Sequence, residues 1–104
     1  MSIQVQLDEL QRVLADFDAG YLLTVDPSSA RVKVVSVRPT LTDGMLIVGG
    51  PGRGSLANVR ANPAVTLVWP PRDAGFSLIV DGTAEAVGDD VRLTPSGAVL
   101  HKPA

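Results

Sequence analysis

The stretch from Val48 to Trp69 reads VGGPGRGSLANVRANPAVTLVW. A strand ends at Val48 and a glycine-rich turn, Gly49-Gly50-Pro51-Gly52-Arg53-Gly54, leads into one short helix from Ser55 to about Ala61. Asn62-Pro63 stops that helix, because a proline and the residue before it resist helical geometry, and the next strand starts at Ala64. Glycines let backbone come close to a ligand. A helix N-terminus adds free N–H groups and a partial positive charge, and Arg53 adds a fixed one. That combination suits a phosphate or another small anion. A plain strand-to-helix connection accounts for the same residues, and both readings stay open at this level.

Outward from this stretch, Leu7, Leu10, Leu14 and Phe17 recur at helical spacing, which predicts an amphipathic helix over Leu7 to Asp18, closed by Gly20. The period then changes to two. Strands are predicted at Tyr21–Val25, Arg31–Arg38, Met45–Val48, Ala64–Trp69 and Phe76–Val87, with a last short one at Ala98–His101. Asp26-Pro27-Ser28-Ser29 is built from turn formers, Asp43-Gly44 is a hairpin pair favouring positive φ, and Gly88-Asp89-Asp90 is a charged turn. In the long strand, Phe76, Leu78, Val80, Ala84 and Ala86 share a face. Gly82 sits among them, where a bulge or corner needs no side chain. The expectation is a mainly β fold: a small antiparallel six-stranded barrel with an N-terminal helix and a short helix after the third strand.

Composition narrows the function. The 104 residues predict one domain, and 45% of them are apolar with only 4% aromatic. A domain this small buries only about 60–65% of its unfolded surface, so pairing of two copies is a useful source of further burial. The net charge of −2 and the few aromatics argue against an oligonucleotide-binding barrel. The absence of cysteine excludes disulfides, thiolate catalysis and zinc–sulfur sites. Met1 to Leu14 lack the basic start and apolar core of a secretory signal, and no run nears the length of a membrane span, so cytoplasmic residence is expected.

Nucleotide motifs fail on inspection. Gly49 and Gly54 have triphosphate-loop spacing, but Ser55-Leu56 stand where Lys-Ser or Lys-Thr is needed. His101 is the only histidine, Ser55 reads most simply as a helix N-cap, and no nucleophile or acid–base pair can be picked out. Arg31 and Lys33 project from one face of their strand, Arg31 as a solvated edge charge. Trp69, at a strand end, reads as a packing or interface anchor.

Taken in order, the YLLTV strand, RVKVVSVR strand, Asp-Gly hairpin, glycine turn, ANVRANP helix, VTLVW strand and IVDGTAE strand resemble the FMN-binding split-barrel superfamily, the pyridoxamine 5'-phosphate oxidase-like proteins. The resemblance covers Ala19 to Val87 and implies a homodimer with flavin at its interface. It implies that Lys33 contacts the flavin phosphate, that Val34, Val35 and Ser36 lie along the ring, and that Arg38 is a second basic position. Val48 and Gly49 fall where the following strand touches the ligand, and Gly54-Ser55 where the family often carries a basic pair, with Arg53 positioned to supply the charge Ser55 lacks. Trp69 and Ser77 of the second subunit are expected near the ring. The implied cofactor is FMN or a related flavin or deazaflavin such as F420, and the implied activity a small flavin-dependent oxidoreductase with an unknown small-molecule substrate. A cofactor-free barrel serving as a binding or assembly module is the rival reading. No metal site is expected.

Overall fold

The computed structural model describes residues 1–103. Eight strands and two short α-helices form an antiparallel sheet wrapped around one core, with a Cα radius of gyration of 13.2 Å. In chain order these are β1 (Ser2–Val5), a 3-10 turn (Leu7–Glu9), α1 (Leu10–Leu14), β2 (Gly20–Val25), β3 (Val32–Val37), β4 (Thr40–Thr42), β5 (Met45–Val48), α2 (Arg53–Ala61), β6 (Ala64–Trp69), β7 (Ser77–Val87) and β8 (Asp90–His101). Hydrogen bonding orders the strands β3-β2-β6-β7-β8-β5-β4, with β1 attached to β8. Among the described residues no ladder joins β3 to β4, so the barrel is not closed, and no helix is long and apolar enough to cross a membrane.

The strand β8 explains the shape. Its first part, Val91 to Leu93, pairs with β5, and its last part, Ala98 to His101, pairs with β1. Pro95, which has no N–H to donate, falls between the two partners, where a missing donor breaks no ladder on that side. Opposite it, the β7 register slips between Asp81 and Gly82, and the Ser96 hydroxyl donates to the Asp81 carbonyl at 3.2 Å. A Cβ at Gly82 would lie 2.5 Å from the Thr94 carbonyl oxygen and 2.6 Å from Leu93 Cδ2. Glycine is therefore obligatory there, as its place in the strand suggested. Gly82→Ala is expected to lower stability by about 1–3 kcal/mol through overpacking, read as a thermal midpoint lower by roughly 4–20 °C.

The inner face carries the core: Leu22, Leu46, Val48, Leu67, Trp69, Leu78, Val80, Val91 and Leu93 are almost wholly buried. The alternation predicted for β7 holds, with Leu78, Val80 and Ala84 inside. Asp43 and Gly44 both take positive φ, 51° and 77°, as the hairpin pair required.

Three expectations are corrected. The sheet has eight strands, not six, because β1 and the three-residue β4 were too short to show a period. The terminal strand expected at Ala98–His101 is the end of a twelve-residue strand. The helix expected over Leu7 to Asp18 is a 3-10 turn followed by α1, which stops at Leu14. Asp16 and Phe17 N–H groups bond back three residues, to Val13 and Leu14. This tighter winding lets the chain reach β2 while Leu14 and Phe17 still pack on the core.

Candidate functional site

The glycine turn becomes α2 at Arg53, and the N-cap is Gly52, at φ 101°, rather than Ser55. A side chain is strained at that angle, so glycine caps the helix and leaves the first-turn N–H groups without a side-chain acceptor. Ser55 lies one turn in. It is fully buried and its Oγ has no hydrogen-bond partner. A buried unsatisfied hydroxyl destabilises by about 1–3 kcal/mol, which marks this spot as incomplete in the isolated chain.

Lys33 completes the picture from the neighbouring edge strand. It pairs with Thr24 across β2–β3, and its side chain crosses the gap to the first turn of α2. A Cβ at Gly54 would be 3.0 Å from Lys33 Cε and 3.3 Å from Nζ. Gly54 is thus the position that lets the lysine lie against the helix. An ammonium beside the positive end of a helix is unfavourable unless an anion joins them. One further bond fixes the frame: Asn58 Nδ2 donates to Thr24 Oγ1 at 3.1 Å, both buried, tying α2 to β2.

Lys33, Gly54 and Asn58 line a cleft of ≈ 350 Å³ together with Asp26, Ser29, Arg31 and Val32. Among the described residues the ion pairs are Arg12–Glu9 and Arg38–Asp18, so Arg31, Lys33 and Arg53 all lack a carboxylate partner. Asp26 accepts from the Ser28 N–H at 2.9 Å and hydroxyl at 2.7 Å, and these bonds hold its carboxyl below the usual carboxylate range.

The other expected site residues fall elsewhere. Arg38 points along the far end of β3 and donates to Asp18 at 2.6 Å, which lowers the Asp18 pKa. Val34 and Ser36 face outward, opposite Leu23 and Tyr21, and Val35 faces the core. Val48 is buried at the end of β5, and the turn after it is latched by Gly50 N–H donating to Asp90 Oδ1 at 3.2 Å. Trp69 is a core residue packed against Gly20, where a Cβ would meet its Nε1 at 3.0 Å. Ser77 begins β7 opposite His101. Within one protomer Trp69 and Ser77 do not line the cleft, and of the expected phosphate residues Lys33 and Gly54 line it while Arg53 and Ser55 do not.

Sequence reasoning passed over Asn58 and read Arg31 as a solvated edge charge, whereas both line the cleft. The signal for Asn58 was present: it lies three residues after Ser55 on the same helix face. A larger cavity of ≈ 440 Å³, lined by Phe17, Phe76 and Leu100, has Arg12 and Arg72 offset by Asp16 and Asp73. It gathers no excess of one charge.

No protein-family model matches the chain. Uncharacterised proteins of Mycobacterium bovis and Mycobacterium tuberculosis are each 36% identical over 118 aligned positions, covering 97% of this chain and 82% of theirs. Among solved structures, an FAD-binding protein of Mesorhizobium loti superposes with a TM-score of 0.73 at 16% identity, covering 98% of this chain and 99% of the other. An F420 reductase gives 0.69 at 18% identity, covering 85% and 94%. A Listeria innocua protein described as a candidate pyridoxamine 5'-phosphate oxidase gives 0.71 at 17%, covering 93% and 98%. With the strand order, the glycine turn and its helix, these likenesses place the chain in one family with the two mycobacterial proteins and give it the fold shared by these solved structures.

Proposed function

We propose that the chain binds a flavin-type cofactor, FMN or a relative with a phosphate-bearing tail, and works as a small cytoplasmic oxidoreductase in homodimeric form. One observation carries the reading: Lys33 lies across Gly54 at the amino end of α2, next to a buried hydroxyl with no partner. The fold's structural relatives include an FAD-binding protein and an F420 reductase, which supports a cofactor of this class. The phosphate would be held by Lys33 and Arg53 as charge-assisted partners, with the first-turn N–H groups and Ser55 completing its shell. The isoalloxazine ring would supply hydride or electron transfer. The chain's part is to bind, orient and shield it, so no nucleophile is required.

Homodimer formation is supported by the outer face of the sheet. Val32 and Val34 are 57% and 55% exposed on the edge strand, and Tyr21 is 42% exposed beside them. The cross-strand row Tyr21–Val68–Ile79–Val99 continues this face over four strands. A contiguous apolar face of this kind marks an association surface. Lys33 lies on the same edge strand but projects from the opposite face.

The direct test is the visible spectrum of the protein purified under native conditions, with mass spectrometry of anything released on denaturation. A flavin band and a flavin mass are expected, or failing a retained cofactor, saturable quenching of added FMN. No band and no quenching at high protein concentration would favour the cofactor-free assembly module, for which Ser55 in place of the usual basic residue is the supporting observation. Ser55→Ala separates the two readings. Removing an unsatisfied hydroxyl is expected to leave the melting temperature unchanged or raised, while flavin affinity falls about tenfold.

A further inference from the structure

The cleft does not end at the helix terminus. From Gly54 and Lys33 it runs along β3 to the turn between β2 and β3, where Arg31, Ser29 and Asp26 line its far end. Its ≈ 350 Å³ lies in the range of small-molecule sites and is far more than one phosphate group fills. Arg31 immediately precedes β3 and Lys33 is its second residue, and both side chains line the one cleft. Neither has an ion-pair partner among the described residues.

The turn that presents Arg31 is closed by its own hydrogen bonds. Asp26 N–H donates to the Arg31 carbonyl at 2.9 Å, Ala30 N–H to the Asp26 carbonyl at 2.8 Å, and Arg31 N–H to Ser29 Oγ at 3.2 Å. Ala30 is held at φ 60°, a left-handed conformation that only such a closed turn sustains in alanine. Preorganisation of this kind lowers the entropy lost when a ligand is fixed. The arrangement is a cation, a hydroxyl and a carboxylate placed beyond the first anion position. Arg31 suits a second phosphate, and the Asp26 carboxylate accepts from sugar hydroxyls.

Building on the flavin reading above, we infer that Arg31 is a specificity-determining residue that holds the second phosphate of a pyrophosphate-linked tail, so that the chain prefers FAD to FMN. A guanidinium suits this role because it offers several donors in a fixed plane to adjacent phosphate oxygens.

The test is parallel titration of the full chain with FMN and FAD, followed by flavin fluorescence, for the native protein and for Arg31→Ala. Arg31 is exposed, and equal melting temperatures will confirm that the variant folds. FAD is expected to bind the native protein at least about tenfold more tightly than FMN, and Arg31→Ala to erase that difference while leaving FMN affinity within about twofold. Equal FMN and FAD affinities in the native protein would overturn the inference and leave the flavin reading intact. Equal weakening of both by Arg31→Ala would do the same, as would stronger binding of F420 than of FAD. Failure of every flavin to bind would overturn the flavin reading itself, and this inference with it.

Discussion

Lys33→Ala combined with Arg53→Ala is expected to weaken flavin binding by about two to four orders of magnitude. The estimate follows from two charge-assisted contacts worth about 1.5–3 kcal/mol each, at tenfold per 1.4 kcal/mol. Neither side chain has an ion-pair partner among the described residues, and both are exposed. The folded chain therefore loses little stability, and melting is expected to shift by no more than a few degrees. The effect should fall with added salt, since the contact is electrostatic and open to solvent. Arg38→Ala is the matched control: it removes a cation from the same strand, but one already bonded to Asp18 at 2.6 Å and away from the cleft. Fluorescence titration of FMN against the double variant and the control checks both. Equal losses in the two would place the phosphate elsewhere.

The second large effect concerns association. Val34→Glu sets a carboxylate on the edge strand of the apolar outer face, opposite Leu23. In a two-fold symmetric pair the change is made twice and each new charge lacks a partner. Stripping an ion of water without compensation destabilises by about 3–5 kcal/mol, so dimer affinity is expected to fall by about a thousandfold or more. Light scattering coupled to gel filtration should show the native protein as a dimer and the variant as a monomer at micromolar concentration. The isolated fold should persist, because Val34 is 55% exposed in the single chain. A native monomer, or a variant that remains dimeric, would remove this face from consideration.

Much of this arrangement was legible in the residues, and the exceptions have physical causes. Ala64–Trp69 begins and ends as read, because Asn62-Pro63 and Pro70-Pro71 punctuate both ends. The Asp43-Gly44 turn and the Gly82 register slip were readable because each demands a conformation or a space that one residue type fills. β4 escaped because Thr40-Leu41-Thr42 gains its strand identity only from β5. In β8 the run Thr94-Pro95-Ser96-Gly97 has turn-forming composition, yet it continues as strand because β7 pairs along its whole length. Tertiary pairing overrode local preference there. The Leu7–Phe17 spacing reported the buried side at Leu10, Leu14 and Phe17, but not at Leu7, which is 43% exposed, nor where the winding tightens.

The site divides in the same way. Lys33 and Gly54 were readable as separate candidates, while their contact depends on the edge strand β3 lying alongside the start of α2. Arg31 immediately precedes the strand that carries Lys33, and its place in the same cleft depends on the closed Asp26–Arg31 turn. Trp69 has the character of an anchor, as its position at a strand end suggested, and is buried to 2% exposure.

The most direct measurement is the affinity of the native protein for FMN beside that of riboflavin, which carries the same ring and no phosphate. If Lys33, Arg53 and the free amides of α2 hold the phosphate, FMN binds about a hundredfold more tightly or better. Equal affinities would contradict the assignment, because the convergence of positive charge on that helix end would then be doing nothing for the ligand.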